Sequence, residues 1–525
     1  MRRAYWADQV RSAEEPLLAA GKPLMEQAAY AVAGRVIAHL QATGLRVSGA
    51  TVLALAGKGN NGGDALYAAV YLAQRGLSVR AAHLPGAHPD GIAAAQRAGV
   101  RCYPLTGDTA GAGASTDLAV LRELAFWGGT WLDGLLGLGS TGAAREPIAS
   151  WITMLNTELD MSPAEPFVLA IDLPSGLTAD SGKILGPVLR AHETLATGSL
   201  KPAHLLAPAR FQCGEVTTVD LGFAEFFPAS PAVAELTAAD VADRWRIPSK
   251  TDHKYTRGVV GMLTGSRTYP GAALLGVGGA LASGVGMVRY LGESPLVLPV
   301  YPEVVPAPGQ VQSWILGSGV EETQMEQLRR TLTEAVDQGL PIVLDAGAIS
   351  LAYTGQFPET VILTPHPGEL VALLTARGIE ISRPEVEADP HHAAKLAAEI
   401  TGATVLLTAA TDVCATPSGI CFSQGGAPGW RATAGAGDVL AGLLGGMLAG
   451  VSAEFTAGLP AQYAAAAAYV HASAAAIASD RRMYGCCELS GVDCATRPRR
   501  IGHPITASDI VKALPIAIDR ILNLE

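Results

Sequence analysis

The 525-residue sequence is short of several things, and each shortage excludes a class of protein. Charged residues make up only 16%, and the balance is acidic, with 37 Lys+Arg against 48 Asp+Glu and a net charge of −11. That argues against a nucleic acid as main partner, because phosphate backbones are bound by clustered Lys and Arg. A single nucleotide is not excluded, since a local nest of N–H groups is enough to hold one. Cysteine is sparse and scattered. Cys102, Cys213, Cys414, Cys421, Cys486, Cys487 and Cys494 contain no C-x-x-C pair and no His at zinc spacing, so neither a disulfide framework nor a zinc site is expected. The adjacent Cys486-Cys487 reads as a pair of free thiols, and a reducing cytoplasm fits. No apolar run reaches the ~18 residues of a membrane helix. The longest, Val439–Val451, reads as a buried helix, so no membrane partner is expected. The opening residues, Met1–Asp8, carry charge with no apolar run behind them, which is not a secretory signal. The 60 glycines and 33 prolines follow no collagen period, and no repeat of solenoid length occurs.

What is present is a globular composition with an apolar lean, 49% hydrophobic. At about 100–200 residues per domain the length implies two or three domains. Short apolar runs alternate with helical stretches in each half. In the first, Thr51–Ala56, Thr130–Asp133 and Phe167–Asp172 read as buried strands, with Ala65–Gln74 a helix. In the second, Gly258–Leu263, Ile342–Asp345, Val361–Thr364 and Thr404–Thr408 read as strands, and two Ala-rich helices follow near Ala436–Ala449 and Pro460–Ala478. Such alternation predicts α/β architecture with parallel sheets covered on both faces. Turn residues without a period near 224–250 place a linker at 226–245, between domains at 1–225 and 246–525.

In the first half, Gly57-Lys58-Gly59-Asn60-Asn61-Gly62-Gly63-Asp64 follows a strand and opens a helix. Glycines allow close backbone approach, and the helix start offers free N–H groups to an anion. The spacing is neither a Walker A loop nor G-x-G-x-x-G. Asp133, before Gly134–Ser140, and Asp172, before Leu173-Pro174-Ser175-Gly176, each put a carboxylate at a strand end, the ligand side of a parallel sheet. Three such loops would assemble an oxygen-rich pocket suited to a hard cation.

Together with Lys201-Pro202, these segments resemble the NAD(P)H-hydrate epimerase domain, which is Rossmann-like, binds potassium and equilibrates the two epimers of hydrated NAD(P)H. The resemblance implies Asn61, Asp133 and Ser175 as K+ ligands. It implies substrate contacts from Asn60, Asn61, Gly62, Gly63 and Asp64, and from Gly137, Leu138, Gly139, Ser140, Thr141, Gly142 and Ala143. Asp172 is its catalytic candidate. Ala65 stands where the family usually has glycine, and Leu138 where it commonly has Thr.

In the second half, Thr433-Ala434-Gly435-Ala436-Gly437-Asp438 opens a long helix. N–H groups and the positive dipole end would meet there, with Asp438 placed to take a proton from a hydroxyl as phosphate is transferred to it. Thr364-Pro365-His366-Pro367-Gly368-Glu369 leaves a strand with His366 fixed between prolines. With His253-Lys254, Tyr269–Ala273, Ser283–Gly286 and Gly317-Ser318-Gly319, these segments resemble the ADP- or ATP-dependent NAD(P)H-hydrate dehydratase of the ribokinase-like superfamily. The resemblance implies that Ala272, Gly319, His366 and Asp438 contact the hydrate. It further implies that Thr408, Ala409, Ala410, Thr411, Asp412 and Gly437 line ADP or ATP carried with Mg2+. Thr408-Ala409 replaces the family's frequent Lys-Gly, and Lys254 is a candidate for the missing cation.

Both halves match in family order, so the chain resembles the fused repair enzyme. Epimerase and dehydratase would act in turn on NADHX and NADPHX, in a homo-oligomer. Two alternatives remain open at this point. One is a ribokinase-like kinase for a small alcohol, which shares Gly435–Asp438. The other is a binding module without turnover in the first half.

Overall fold

The computed structural model describes residues 1–162, 165–451, 456, 458–480 and 502–524; Cys486, Cys487 and Cys494 lie outside them. The chain forms two compact units: Arg3–Ala232, and the described residues from Val233 onward together with Met1–Arg2.

The strands in chain order are β1 (Arg2–Ala4), β2 (Thr51–Ala56), β3 (Ser78–His83), β4 (Arg101–Pro104), β5 (Thr130–Gly134), β6 (Phe167–Ile171), β7 (Glu193–Thr197) and β8 (Glu215–Val219). There follow β9 (Val233–Glu235), β10 (Val259–Leu263), β11 (Met287–Tyr290), β12 (Ser313–Leu316), β13 (Ile342–Leu344), β14 (Val361–Leu363), β15 (Thr404–Leu407), β16 (Asp412–Ala415) and β17 (Cys421–Gln424).

In the first unit seven parallel strands run in the order β4-β3-β2-β5-β6-β7-β8. The pattern behind this is visible in β2. Val52, Ala54 and Ala56 enter one apolar cluster, while Leu53 and Leu55 enter another on the opposite face. A strand buried on both faces reads as an unbroken apolar run. The strand order reverses between β2 and β5, and ligands of open α/β sheets bind at such a switch point, beyond the carboxyl ends of the strands.

The second unit's sheet runs β1-β9-β17-β16-β15-β14-β13-β12-β10-β11. Neighbours are parallel from β11 to β15, and β16 is antiparallel to both β15 and β17. Its main core joins Val260, Met262 and Ile315 to the helices Pro270–Ala282, Ala436–Ala449 and Leu459–Ala478. Here the order reverses between β10 and β12.

The α/β expectation therefore holds in both halves, with local differences. The first site's helix begins at Asn60 rather than Ala65, so Asn60–Asp64 forms its first turn. Within the stretch read as a linker, β9 and the helix Ala238–Arg244 form and count with the second unit. Thr237 opens that helix by accepting from the Asp240 N–H at 3.4 Å, and Arg2 pairs with Glu235 of β9 at 2.6 Å.

Candidate active sites

In the first unit the β2 and β5 ends bring the sequence-predicted residues together. Gly62 is required there by close approach, because a Cβ on it would stand 2.1 Å from the Gly57 carbonyl oxygen. This packing lets the first turn of helix Asn60–Gln74 press against the end of β2. Asp133 is fully buried. Its Oδ2 accepts from the Ser175 N–H at 2.7 Å and its Oδ1 from the Ser175 hydroxyl at 2.5 Å. Ser175 Oγ accepts in turn from Leu136 N at 2.9 Å, and the Leu136 carbonyl accepts from Asn61 Nδ2 at 2.6 Å. Asn61, Asp133 and Ser175 thus form one connected cluster. Within it Asn61 Oδ1 is buried and has no partner. Burial pushes the Asp133 carboxyl up to about 6, against the lowering effect of the Ser175 bonds.

Asp172 follows β6 in a left-handed conformation, φ 64°, unusual for a residue with a side chain. Its Oδ1 accepts from Thr197 N at 3.0 Å, from Thr197 Oγ1 at 2.7 Å and from the ammonium of Lys201, which is fully buried. Burial alone would raise this carboxyl, but the Lys201 charge and these bonds hold it below its ordinary value. His204 Nδ1 accepts from Lys201 N at 2.9 Å, so its Nε2 carries the hydrogen donated to the Asp172 carbonyl at 2.8 Å. Asp64 behaves oppositely. Burial, then the charges of Asp172 and Glu14, lift it well above the carboxylate range. The loop Gly137–Ala143 lies at the rim, where Leu138 O accepts from Arg11 at 3.0 Å; Gly139, Thr141 and Ala143 are exposed.

In the second unit the carboxyl ends of β10, β12, β13 and β14 converge. Ala272 and Gly319 are in contact, since a Cβ on Gly319 would lie 2.6 Å from that of Ala272. Ser318 Oγ donates to Asp345 Oδ2 at 2.6 Å, and Thr364 Oγ1 donates to Asp345 Oδ1 at 2.7 Å. Gly435 takes φ 87° to turn the chain into the helix Ala436–Ala449, and Asp438 sits in that helix's first turn. Burial, the charge of Asp345 and that of Glu369 push Asp438 up to about 7. Gly437 faces open space, as an anion-binding turn requires. His366 caps the helix Pro367–Ala376, its Nδ1 accepting from Gly368 N at 3.0 Å and Glu369 N at 3.3 Å. The ring's other nitrogen stands 3.7 Å from Glu369 Oε2.

The candidate nucleotide loop, Thr408–Asp412, joins β15 to β16. Thr408 N donates to Pro365 O at 2.9 Å, tying the loop to the His366 segment. Ala410 is exposed, and Thr411 Oγ1 is buried without a partner. Lys254, the candidate cation, precedes β10, and its ammonium lies 5.2 Å from the centroid of the Tyr255 ring. A buried cation does stand at the loop itself: Arg431, which pairs with Asp412. Sequence reasoning missed it because its only local signal is one basic residue before Ala432–Asp438.

Known proteins match in the same order. Residues 21–203 match the family model described as YjeF-related protein N-terminus, and residues 260–493 the one described as NAD(P)H-hydrate dehydratase. The bifunctional NAD(P)H-hydrate repair enzyme Nnr of Mycobacterium tuberculosis is 37% identical over 462 residues, covering 85% of this chain and 89% of that protein. The chain belongs to the bifunctional NAD(P)H-hydrate repair enzyme family. The enzyme of the same name from Mycobacterium leprae is 38% identical over 464 residues, with 85% and 89% covered. A solved ADP/ATP-dependent NAD(P)H-hydrate dehydratase from Bacillus subtilis, co-crystallised with ATP/Mg2+, is 26% identical; it covers 55% of this chain and 99% of that one at a TM-score of 0.44. For this repair-enzyme chain the two clusters above therefore stand in the two halves where the family models match. No described helix is long and apolar enough to cross a membrane.

Proposed function

We propose that the first unit epimerises hydrated NADH and NADPH, and that the second restores them from the S hydrate at the expense of ADP. The observation that carries the second step is Asp438, a half-buried carboxyl pushed up to about 7 in the first turn of a helix. A base with a pKa near the working pH transfers protons most effectively. Asp438 takes the proton of the S hydroxyl as that oxygen attacks the β-phosphorus of ADP and AMP leaves. The ring nitrogen's lone pair then expels phosphate, and loss of the neighbouring ring proton restores the double bond. N–H groups at Gly435–Gly437 face the transferring phosphoryl group. Ala272, Gly319 and His366 hold the hydrate; Thr408–Asp412 receives the nucleotide. Mg2+ would be carried in on the nucleotide's own phosphates.

In the first unit two carboxyls with environments that push them apart supply an acid and a base. Asp64, lifted by burial, is the acid that protonates the departing hydroxyl. Asp172, held ionised beside Lys201, is the base that takes a proton from the water returning on the other face. A monovalent cation fits beside them. Asn61 Oδ1 is an orphaned buried acceptor, and Asp133 and Ser175 complete an oxygen-only set. Potassium held by Asn61, Asp133 and Ser175 would neutralise Asp133 and fix the two loops. We place the enzyme in the cytoplasm, consistent with the free, unpaired Cys102, Cys213, Cys414 and Cys421.

Mixing the protein with chemically hydrated NADH and ADP tests the reading. The absorbance of the reduced nicotinamide should return, and the R hydrate should be consumed through the S form. No return with ADP or ATP would remove the dehydratase assignment. A kinase for a small alcohol would instead leave a stable phosphorylated product.

A further inference from the structure

The loop Thr408–Asp412 has no basic side chain of its own, yet a buried cation organises it. Arg431 lies in the short turn Gly429–Arg431, ahead of the Gly435–Asp438 segment. Its Nη2 donates to Ala409 O at 2.6 Å and to Asp412 Oδ1 at 2.9 Å, and its Nη1 donates to Asp412 Oδ2. Asp412 Oδ1 also accepts from Ala409 N at 3.1 Å. The four bonds close a ring around the loop. Asp412 is 1% exposed and the Arg431 side chain 11%. Both lobes of the guanidinium are used inside the protein, so Arg431 is not itself a ligand for phosphate.

We propose that Arg431 is a positioning residue for the adenine nucleotide, a clamp that holds Thr408–Asp412 ready to receive it and ties that loop to the turn Gly429–Arg431, which leads into the segment bearing Asp438. The proposal rests on the reading of Thr408–Asp412 as the nucleotide loop. Two further observations on the same elements point to a ligand. Thr411 Oγ1, between the two clamped residues, is buried with no partner. His471, on the helix that packs against the Gly429–Arg431 turn, is 2% exposed, and its ring meets no side-chain partner, only the Ala436 backbone. Burial and the Arg431 charge drive His471 down to about 3, so it stays neutral and can donate and accept at once. Buried polar groups left unsatisfied are rare unless a ligand or water completes them. A loop held in its bound shape before the ligand arrives loses less freedom on binding, and that gain goes to affinity. A planar fork holds a carboxylate and a carbonyl together in a way an ammonium does not.

The test uses the full chain, ADP titration by calorimetry and steady-state rates with the S hydrate. Arg431→Met should raise the Kd and KM for ADP by about tenfold or more while kcat changes by about twofold or less. Arg431→Lys should fall between. Because Arg431→Met leaves a buried carboxylate unpaired and can unfold the unit, the double variant Arg431→Met/Asp412→Asn is the deciding one. Its Asn can still accept from Ala409 N, no buried charge is stranded, and only the clamp is gone. An ADP Kd equal to that of the unmutated chain in this variant overturns the clamp. A fall in kcat with unchanged KM overturns it as well. If the unmutated chain fails to bind ADP, the nucleotide-loop reading falls first and takes the clamp with it.

Discussion

Replacing Asp345 by Asn should move the acid limb of the dehydratase pH profile, and the structure says which way. Asp438 is pushed up to about 7 by burial first, by the Asp345 charge second and by Glu369 after that. As the base it must be ionised to act. In the unmutated enzyme about half of the molecules are competent at pH 7 and about a tenth at pH 6, so kcat/KM should drop about fivefold over that interval and tenfold for each unit below. Asp345→Asn removes the like charge and lowers the pKa of Asp438. The new amide can also donate to Ser318 Oγ, which now spends its hydrogen on Asp345 Oδ2 at 2.6 Å. Ser318 already bonds Asp438 and lowers it, and the freed hydroxyl would strengthen that bond to the ionised form. Burial, the largest cause, is untouched, so the midpoint should fall by about one pH unit and not return to the ordinary carboxylate range. The comparison variant Asp438→Asn keeps the shape but has no base, and should lose ~10²–10⁴ of the rate. Rates are read as the return of reduced-nicotinamide absorbance from the S hydrate with saturating ADP. An acid limb that stays in place in Asp345→Asn would show that Asp438 is not the group titrating. Near-normal repair by Asp438→Asn would take it out of the mechanism altogether.

Potassium should matter more at high pH than at low. Asp133 is raised to about 6 in the fold, so the stability tied to its protonated form is present below its ordinary pKa and lost as pH rises through about 6, a loss of roughly 3 kcal/mol. A bound cation offsets this, so K+ should raise the Tm of the first unit at pH 8 and scarcely at pH 5; Asp133→Asn should be more stable than the parent at pH 8 without K+ and blind to its addition. A parent protein indifferent to K+ in both Tm and epimerase rate would sink the cation site. Gly62→Ala should destabilise the first unit by about 3 kcal/mol or more, since its Cβ would meet the Gly57 carbonyl at 2.1 Å; a denaturant midpoint within error of the parent would contradict that contact. Fragments 3–232 and 233–525 should each be soluble, the first epimerising only and the second stabilised by ADP. Aggregation of both, or ADP stabilising the first, would count against the division of labour.

Much of the candidate chemistry was legible because it depends on local backbone demands. Gly435 at φ 87° and Asp438 in the next turn are adjacent residues, and a helix start with glycine and a carboxylate is a pattern within one segment. The same holds for Gly62 at the foot of its helix and for His366, whose cap reaches only two and three residues ahead. The alternation of apolar runs and helices carried the parallel sheets, because a strand buried on both faces must be apolar throughout. The helix start at Asn60 was misplaced by five residues, since a Gly-Gly pair has low helix propensity and is helical here because the turn packs tightly on Gly57. Linear order could not show which carboxyls are ionised. Asp64, Asp133, Asp172 and Asp438 all lie near the end of a strand or the start of a helix, yet Asp172 is held low and the other three are raised. The difference lies in Lys201, 29 positions along the chain and bonded to Asp172 alone of the four. Arg431 was invisible for the same reason, its partners being 19 and 22 positions away. Helix starts and strand runs depend on neighbours in sequence, whereas a charge's free energy depends on burial and on every other charge nearby in space, and only the folded chain sets those distances.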